Sequence, residues 1–457
     1  MMIPEEKEKF TLHAGQKPPQ RAKISIIGGG SPYSAYLLMG MVKRAELLKG
    51  CHIVLMDIEE EKLQLVYTLG KKIFQQAEVD LTLEYTNNEE EAISDASFVI
   101  TAFRIGGLKA RHLDEILPLR HGVIGHETIG PGGFFAALRT IPVATSFAAM
   151  IEKLAPEAFL LNYTNPNSIV TEAISQANGI RVIGIRNDPP QYSAKIIDMA
   201  GLTMPKNTRC YMRTVGLSHG NWTTAIWNGG KDILPEIVNW SQDYIKQKPP
   251  ITADNYILTM QILLTALYGA LPSHHMPYYY FPERVLEYIR QQPGSQAEEL
   301  MARRVTLLKE LEQEAQKEKP QIVPIESYEN YDDSALDVLC AILHNTGDEI
   351  VLNVPNRGAL KFLPEERVAE LPCRVDARGA IPLTQSEGGL ALDQRGLIVQ
   401  LAEYAGATAR AALWGTRIDA IKALTANPLV MSYSRAEALY NDLAAAHAEY
   451  LPDHLLR

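Results

Sequence analysis

The sequence predicts an α/β protein in which a Rossmann-type, doubly wound parallel sheet is followed by a C-terminal α+β part. Two observations support this prediction. In the first 200 residues, short apolar runs alternate with helical patterns, as is typical of βαβ units in a parallel sheet. Beyond about residue 200 the pattern changes to antiparallel strands and long helices.

Each apolar run of the first part ends in polar or glycine residues. The run KISII is followed by a glycine turn and a helical pattern over 33–48, and CHIVLM leads to Asp57 and a charged helix. Since these runs are short and bounded by turn residues, we read them as strands. The predicted strands are 23–27, one ending at Asp57, 97–102, 158–161 and 182–185.

The second part begins after a break near 190–210. The stretch RCYMRTVGLSHGNWTTAIW has the pattern of antiparallel strands, and 319–325 reads as a loop. Apolar periodicity predicts helices over 296–316, 400–425 and 434–449.

Composition excludes several classes of function. The net charge of −10 and the lack of a basic block argue against nucleic-acid binding and against attraction to anionic membranes. No apolar run approaches the roughly 20 residues of a membrane span, and the first 20 residues lack the apolar core of a signal peptide. The four cysteines contain no CxxC pair, which favours reduced cysteines in a cytoplasmic protein.

The glycine turn IIGGGSPY predicts a dinucleotide site, because it follows a strand and opens a helix. Tyr33 replaces the third glycine of the usual fingerprint. Asp57 ends the second strand, where an acid binds the adenosine ribose and disfavours a 2′-phosphate, so we expect NAD rather than NADP. The alternative is an ordinary glycine turn with a helix-start aspartate. The predicted cofactor residues of these two segments are Gly28, Gly29, Gly30, Ser31 and Asp57.

We therefore divide the chain into three parts. Residues 1–21 form a polar tail, 22–195 an NAD-binding Rossmann domain, and 196–457 an α+β domain for substrate binding and oligomerisation.

Several longer motifs resemble those of glycoside hydrolase family 4, the NAD-dependent glycosidases. They are ITAFRIGGLKARHLDE, GVIGHETIGPGGFFAALRTIPV, NYTNPNSIVTEAI and VGLSHGNW, and the likeness extends from Lys23 to the C-terminal AHAEYLP. The nearest likeness is to 6-phospho-β-glucosidases. The resemblance implies a fold like that of lactate and malate dehydrogenases, a small-molecule glycoside as substrate, and a homodimer or homotetramer.

The resemblance also implies an unusual hydrolysis that does not use two carboxylates. Bound NAD takes a hydride from C3 of the sugar, a base removes the acidified C2 proton, and the C1 substituent leaves by elimination. Water then adds and the hydride returns to C3. In this family a divalent metal, usually manganese, stabilises the enolate.

The family's functional residues transfer onto several positions. His219 matches the metal-binding histidine, and Arg111 and Asn165 match substrate-binding positions. Glu127 matches a carboxylate that raises the basicity of the catalytic base, and we place Arg104 with the cofactor. Without the resemblance these would be a core histidine, a salt-bridged helix arginine, a turn asparagine and a loop acid.

The first departure from the family concerns the metal. At the end of the fifth strand the family has a metal-ligating cysteine, and here Arg186 stands in its place, followed by Asn187. A guanidinium is permanently charged and has no lone pair for a cation, so a manganese site is doubtful. Arg186 is then a replacement for the metal's charge, an anion-binding residue or a sign of lost activity.

The second departure concerns the base. In GALPSHHMPYYYF, His275 takes the position of the family's catalytic tyrosine, and histidine serves as a general base near neutral pH without a large pKa shift. Under a different alignment Tyr278 is the base. A new metal site of His219 with His274 and His275 is disfavoured, because adjacent residues of a strand point in opposite directions.

The third departure concerns the substrate. Gln296, Pro277 and the stretch Asn353–Asn356 stand where phospho-sugar members present arginines to the 6-phosphate, although Arg357 or Arg303 offers a replacement. Without bidentate guanidinium contacts phosphate affinity falls, so we expect an unphosphorylated sugar. Two alternatives remain: an NAD-dependent sugar or hydroxy-acid dehydrogenase, and a non-catalytic NAD-binding homologue.

Overall fold

A computed structural model describes residues 22–185, 190–202, 211–249, 251–252, 255–322, 331–385 and 389–457. Within these residues the chain forms one sheet with helices on both faces. The strands are β1 Lys23–Ile27, β2 His52–Met56, β3 Thr82–Thr86, β4 Phe98–Thr101, β5 Phe159–Asn162, β6 Arg181–Ile185, β7 Tyr211–Leu217, β8 Gly220–Asn228, β9 Lys231–Asp232, β10 Leu271–Pro272, β11 Asp348–Pro355, β12 Val368–Asp376 and β13 Gly379–Pro382.

The helices of the first half surround the parallel strands, and those of the second half cover the rest of the sheet. They are α1 Ser34–Lys43, α2 Glu60–Gln76, α3 Glu89–Ile93, α4 Gly107–Arg120, α5 Gly130–Leu154, α6 Asn167–Ala177, α7 Pro190–Met199, α8 Leu234–Lys246, α9 Tyr256–Tyr268, α10 Met276–Tyr280, α11 Pro282–Arg290, α12 Gln296–Gln316, α13 Tyr331–His344, α14 Leu392–Trp414, α15 Arg417–Thr425, α16 Tyr433–Ala446 and α17 Asp453–Leu456.

The first six strands are parallel and lie in the order β3-β2-β1-β4-β5-β6, which is the Rossmann order. The predicted doubly wound fold is therefore confirmed. The order reverses between β1 and β4, where open α/β sheets bind ligands at the carboxyl ends of their strands.

The strands β4 to β6 read as continuous apolar runs because both of their faces are buried. Val99 and Leu160 share a core with α5, α6 and α14, whereas Ile100 and Leu161 share a core with α1, α2 and α13. The parallel half of the sheet is thus the middle layer of three.

The second half extends the same sheet. Strand β11 pairs antiparallel with β6, and β12, β7, β8 and β10 follow outward from it. The predicted antiparallel strands around VGLSHGNW are the hairpin β7–β8. The predicted helix over 400–425 is two helices, because Thr416 and Asp419 form a capping box that starts α15.

Helix α5 contradicts the expectation that no segment is apolar enough to span a membrane. Its 25 residues are sufficient in length and composition. The expectation concerned uninterrupted apolar runs, and Arg139 interrupts the apolar sequence of α5 without making the whole helix polar. Within the protein, 67% of its most apolar window is buried, so α5 packs as a core helix.

Candidate active site

The predicted dinucleotide turn lies between β1 and α1. The backbone N–H groups of Gly28 and Gly29 both donate to the carbonyl of Met56, at 3.0 and 2.8 Å, which ties the turn to the end of β2. Gly28 has a φ of +91°, and a Cβ there would lie 2.5 Å from the carbonyl oxygen of Ala102. Only glycine fits this close approach, so the turn presents bare backbone at the switch point of the sheet.

Asp57 directly follows β2 and faces the turn. Its Oδ2 accepts from the N–H of Gly30 at 2.9 Å, and its Oδ1 accepts from the N–H of Glu59 at 3.1 Å. The next residue, Ile58, is 83% exposed, which is unusual for a large apolar side chain. The bare turn, the oriented carboxylate and this apolar surface fit the pyrophosphate, ribose and adenine of a dinucleotide.

A second group of residues lies at the neighbouring strand end and on α4. Arg104 follows β4, and its Nη2 lies 2.6 Å from Oε2 of Glu127. The Nη1 of Arg111 lies 2.8 Å from the same oxygen, and its Nε lies 2.7 Å from Glu115. We call Arg104, Arg111, Glu115 and Glu127 the arginine–carboxylate cluster. It contains two cations and two anions and is therefore balanced in charge.

Burial and pairing set the protonation of Glu127. Burial alone would raise the pKa of this carboxyl, but the guanidiniums of Arg104 and Arg111 outweigh it and hold the pKa at about 2. Glu127 is thus ionised, and both of its ion pairs are with arginines rather than with His275 or Tyr278. Its predicted action on the base stays a prediction, while its contact with Arg111 is direct.

The start of α12, which belongs to the second half of the chain, contacts the arginine–carboxylate cluster. Nη2 of Arg111 donates to the side-chain carbonyl of Gln296 at 3.2 Å, and the N–H of Ala297 donates to Glu115 at 2.9 Å. Gln296 thus lies beside Arg111. The two possible replacement arginines are elsewhere: Arg303 pairs with Glu299 at 2.6 Å on the surface of α12, and Arg357 is exposed after β11.

Four histidines meet beside this cluster. The ring centroid of His275 lies 3.7 Å from that of His274, 4.4 Å from that of His219 and 5.1 Å from that of His126. We call these four residues the histidine cluster. Tyr278 adjoins it, with its ring 5.3 Å from His126. The expectation that His274 and His275 lie on a strand is wrong: β10 ends at Pro272, and the two rings lie with their centroids 3.7 Å apart in the turn before α10.

His219 occupies the two-residue turn between β7 and β8. Its φ of +67° lies in the left-handed region, which two-residue hairpin turns use and which histidine adopts more readily than most residues. The Nδ1 atom lies 3.1 Å from Oγ of Ser218, and the residue is buried.

The environment of His275 differs from the expectation for a base near neutral pH. Burial, and then the neighbouring His274, His219 and His126, hold the pKa of His275 well below its usual value. The imidazole is therefore neutral and has a free lone pair, but it is a weaker base than an ordinary histidine, so the expectation of an unshifted pKa is wrong. The shift follows from packing by residues distant in sequence, which the PSHHMP motif alone does not reveal.

A small cavity of about 30 Å³ adjoins the histidine cluster. His219 and Tyr279 line it, whereas Tyr278 does not. The segment after β5 forms another wall, because Pro166, next to Asn165, also lines the cavity. Polar residues there that the sequence analysis missed are Thr128, Asn167, Ser168, Ser218 and Tyr404.

Hydrogen bonds across the sheet hold this wall in place. The N–H of Ser218 donates to Oγ of Ser168 at 2.9 Å, and that hydroxyl donates to Asn353 at 2.7 Å. Asn353 in turn donates to Glu370 at 3.3 Å. Asn353, which begins the stretch Asn353–Asn356 that corresponds to a phosphate-binding stretch of the family, is thus a fully buried residue that supports the wall.

Two predicted catalytic residues, Arg186 and Asn187, lie outside the described residues, which stop at Ile185 and resume at Pro190. Within the described residues, no group of three histidine, cysteine or carboxylate side chains has the geometry to hold a metal ion. The prediction about manganese depends on Arg186 and stays a prediction.

Comparison with known proteins gives one family. A model described as family 4 glycosyl hydrolase matches residues 23–202, and the model of its C-terminal domain matches residues 214–430. A probable 6-phospho-beta-glucosidase of Bacillus subtilis is 32% identical over 438 residues, which cover 94% of this chain and 97% of that protein. The 6-phospho-beta-glucosidase of Escherichia coli is 31% identical over 445 residues, which cover 95% and 97%.

Solved structures agree with this comparison. The 6-phospho-beta glucosidase of Thermotoga maritima, solved with manganese, NAD+ and glucose-6-phosphate, aligns with a TM-score of 0.82 at 25% identity, covering 94% of this chain and 99% of that one. The lactate dehydrogenase of Cryptosporidium parvum aligns with a TM-score of 0.53 at 15% identity, covering 86% and 98%, and shares the fold alone.

Proposed function

This chain belongs to family 4 of the glycosyl hydrolases, and from that premise we propose that it is an NAD-dependent glycosidase for an unphosphorylated glycoside that works without a resident metal ion. The observation on which the choice of substrate depends is the charge balance of the arginine–carboxylate cluster. We assign the residues of the site to three roles: cofactor binding, sugar binding and proton transfer.

The cofactor proposal depends on the turn after β1 and on Asp57. NAD, when bound, supplies a reversible hydride acceptor for C3 of the sugar. The backbone of the glycine turn holds the pyrophosphate, and the Asp57 carboxylate binds the ribose diol and repels the 2′-phosphate of NADP. Arg104 follows β4, the strand next to β1, and pairs with Glu127, so it lies between the cofactor residues and the rest of the arginine–carboxylate cluster.

The substrate proposal follows from electrostatics. A sugar phosphate carries nearly two negative charges at neutral pH and requires unpaired cations. Both arginines of the cluster are already paired with carboxylates, and the neutral amide of Gln296 occupies the place beside Arg111. A charge-balanced set of donors and acceptors suits sugar hydroxyls, so Arg111 and Asn165 are assigned to an uncharged glycoside.

Proton transfer is assigned to the histidine cluster. Once C3 is a ketone, the C2 proton is acidic, and neutral His275 removes it; Tyr278 is the alternative base. The electron pair of the C2–H bond forms a double bond between C2 and C3, and the negative charge passes to the oxygen on C3. When that electron pair returns, the C1–O bond breaks, and the C1 substituent leaves with the electrons of that bond and takes up a proton from solvent. Water then adds at C1, and C2 takes up a proton again.

The absence of a metal is proposed from the sequence at Arg186, which directly follows β6. A guanidinium has no lone pair for a cation and repels one nearby. It does supply a fixed positive charge for the enolate oxygen, with neighbouring Asn187 as a further polar group. Arg186 and Asn187 therefore replace metal chemistry with electrostatic stabilisation.

The experiment compares matched glycosides with and without a 6-phosphate, with NAD, in D₂O and in the presence of EDTA. We expect turnover of the unphosphorylated glycoside, deuterium at C2 of the product by NMR, and no loss of rate with chelator. Turnover of the 6-phosphate alone contradicts the substrate assignment, and loss of activity with EDTA contradicts the metal assignment. Net accumulation of NADH indicates a dehydrogenase instead, and no turnover of any glycoside indicates a non-catalytic homologue.

A further inference from the structure

We propose that His126 is a further catalytic residue, whose neutral imidazole donates a hydrogen bond from Nε2 to the oxygen on C3 of the sugar as the enolate forms. This inference rests on the proposed function, because it assigns an additional donor to the same elimination. The histidine was not among the predicted site residues. Three features of its surroundings support the assignment.

The first feature is the hydrogen bond that sets the tautomer. Nδ1 of His126 accepts from the backbone N–H of Thr128 at 3.2 Å, and Oγ1 of Thr128 lies 3.1 Å from the same nitrogen. A neutral imidazole has one acceptor and one donor nitrogen. Since a backbone N–H can only donate, Nδ1 is the acceptor and Nε2 carries the hydrogen.

The second feature is that the ring stays neutral. Burial lowers the pKa of His126 to about 3, although the adjacent Glu127 acts in the opposite direction. The ring therefore keeps its donor at Nε2 and its acceptor at Nδ1 throughout the working pH range. A neutral imidazole of this kind is an effective electrophile for a carbonyl that enolises.

The third feature is the position of the donor. The ring centroid of His126 lies 5.1 Å from that of His275 and 5.3 Å from that of Tyr278, with the ring planes steeply inclined to each other, so His126 adjoins either candidate base. C2 loses the proton and C3 is bonded to it, so a base and a donor on adjacent side chains reach adjacent atoms of one sugar. Within the described residues, the hydrogen bonds of the His126 ring are both at Nδ1, and 9% of the residue is exposed.

The surrounding chain holds this donor rigidly. Glu127, the next residue, is held by two arginines, and Thr128 holds the ring itself. Behind the segment, a Cβ on Gly132 would lie 2.2 Å from the carbonyl oxygen of His126, so the first turn of α5 packs against it without a gap. Preorganised donors of this kind stabilise developing charge without a cost of reorganisation.

The experiment compares two amides that reproduce different halves of the imidazole. His126→Asn keeps an acceptor for the Thr128 N–H but has no donor at the Nε2 position, whereas His126→Gln places an amide N–H there. We expect His126→Asn to lose about 10²- to 10³-fold in kcat while KM and NAD affinity change little, and His126→Gln to keep at least about tenfold more activity. The kinetic isotope effect for substrate deuterated at C2 should rise in His126→Asn, because proton removal becomes more rate-limiting.

Equal losses in the two variants with an unchanged isotope effect overturn the proposal, and so does a kcat of His126→Asn within about threefold of wild type. NAD titration and thermal melting of each variant check the fold. If His126→Asn does not fold, His126→Gln alone remains decisive: as an imperfect replacement donor it must have wild-type KM, a reduced kcat and an isotope effect above that of the wild type. A wild-type protein that neither turns over a glycoside nor exchanges the C2 proton overturns the proposed function and this inference together.

Discussion

Single residues in this site act through partners that are distant in sequence. Glu127 is an ordinary loop acid in the motif GHETIG, yet in the fold two guanidiniums meet at one of its oxygens. His126 was not predicted as a site residue, yet His275, 149 positions later in the chain, packs against it. The glycine turn and Asp57 were predictable because each directly follows a strand that is recognisable from the local sequence. The protonation states of Glu127, His126 and His275 were not, because they depend on burial by distant elements.

The lowered pKa of Glu127 predicts a specific pH dependence of stability. Its pKa lies at about 2 in the folded protein and near 4.5 when unfolded. The ionised carboxylate therefore stabilises the fold fully above pH 4.5, and this contribution disappears as the pH falls towards 2. The Glu127→Gln variant should be less stable by up to about 3 kcal/mol near neutral pH, and the difference should approach zero at about pH 2. Urea unfolding of both proteins at several pH values measures it.

The matched control is Glu299→Gln, which removes one carboxylate from an exposed pair with Arg303. Exposed pairs contribute at most about 1 kcal/mol, so its effect should be small at every pH. If the Glu127→Gln difference is independent of pH, or no larger than that of the control, the two arginines do not determine the ionisation of Glu127.

At the scale of elements, periodicity located helices and strands well where the pattern was regular. The predicted helix over 296–316 has the observed bounds, and each predicted strand of the parallel sheet lies within one or two residues of its observed position. Helix α5 was not predicted, because its first turn, GPGG, carries the glycines and proline that usually mark a loop. In the fold, these glycines let the first turn of α5 pack closely against the backbone of residues 126–128, where a side chain would collide with it.

The packing of α5 predicts that Gly133→Ala is destabilising. A Cβ at Gly133 would lie 2.2 Å from the carbonyl carbon of Thr128, a backbone atom that cannot move by a change of rotamer. Relief requires shifting the segment that holds His126, so we expect a loss of about 1–3 kcal/mol in unfolding free energy, together with a fall in kcat. Chemical denaturation and steady-state kinetics of the same preparation measure both.

Gly396→Ala is the matched control, since Gly396 lies in helix α14, is exposed and would place its Cβ in open space. There the usual helical preference for alanine should stabilise the protein by about 0.5–1 kcal/mol with unchanged kcat. A Gly133→Ala protein as stable and active as the control would show that the tight contact is not needed.

At the scale of the whole molecule, the sequence predicted two domains, and the sheet joins the two halves. Strand β6 of the parallel half pairs with β11 of the second half. Each of the two hydrophobic cores, one on either face of the sheet, also contains residues from both halves of the chain. Phe134 clusters with Ala369 and Leu401, and Ile185 clusters with Leu336. These contacts could not be predicted from local pattern, because β11 reads equally well as a strand of a separate sheet. The division at residue 195 stays a prediction about chain organisation.

This shared sheet predicts how the full chain unfolds. If β6 lost its pairing with β11, β6 would become an open edge of the sheet. Apolar residues of both shared cores would then be exposed to water. We therefore expect one cooperative transition in calorimetry of the full-length protein rather than two. Saturating NAD, which would contact only the first half, should raise the temperature of the entire transition, by the equivalent of about 2.7 kcal/mol at a hundredfold excess over Kd. NADP at the same concentration is the control and should shift it less, because Asp57 repels the 2′-phosphate. Two separate transitions, of which NAD moves only one, would show that the halves fold independently despite their continuous sheet.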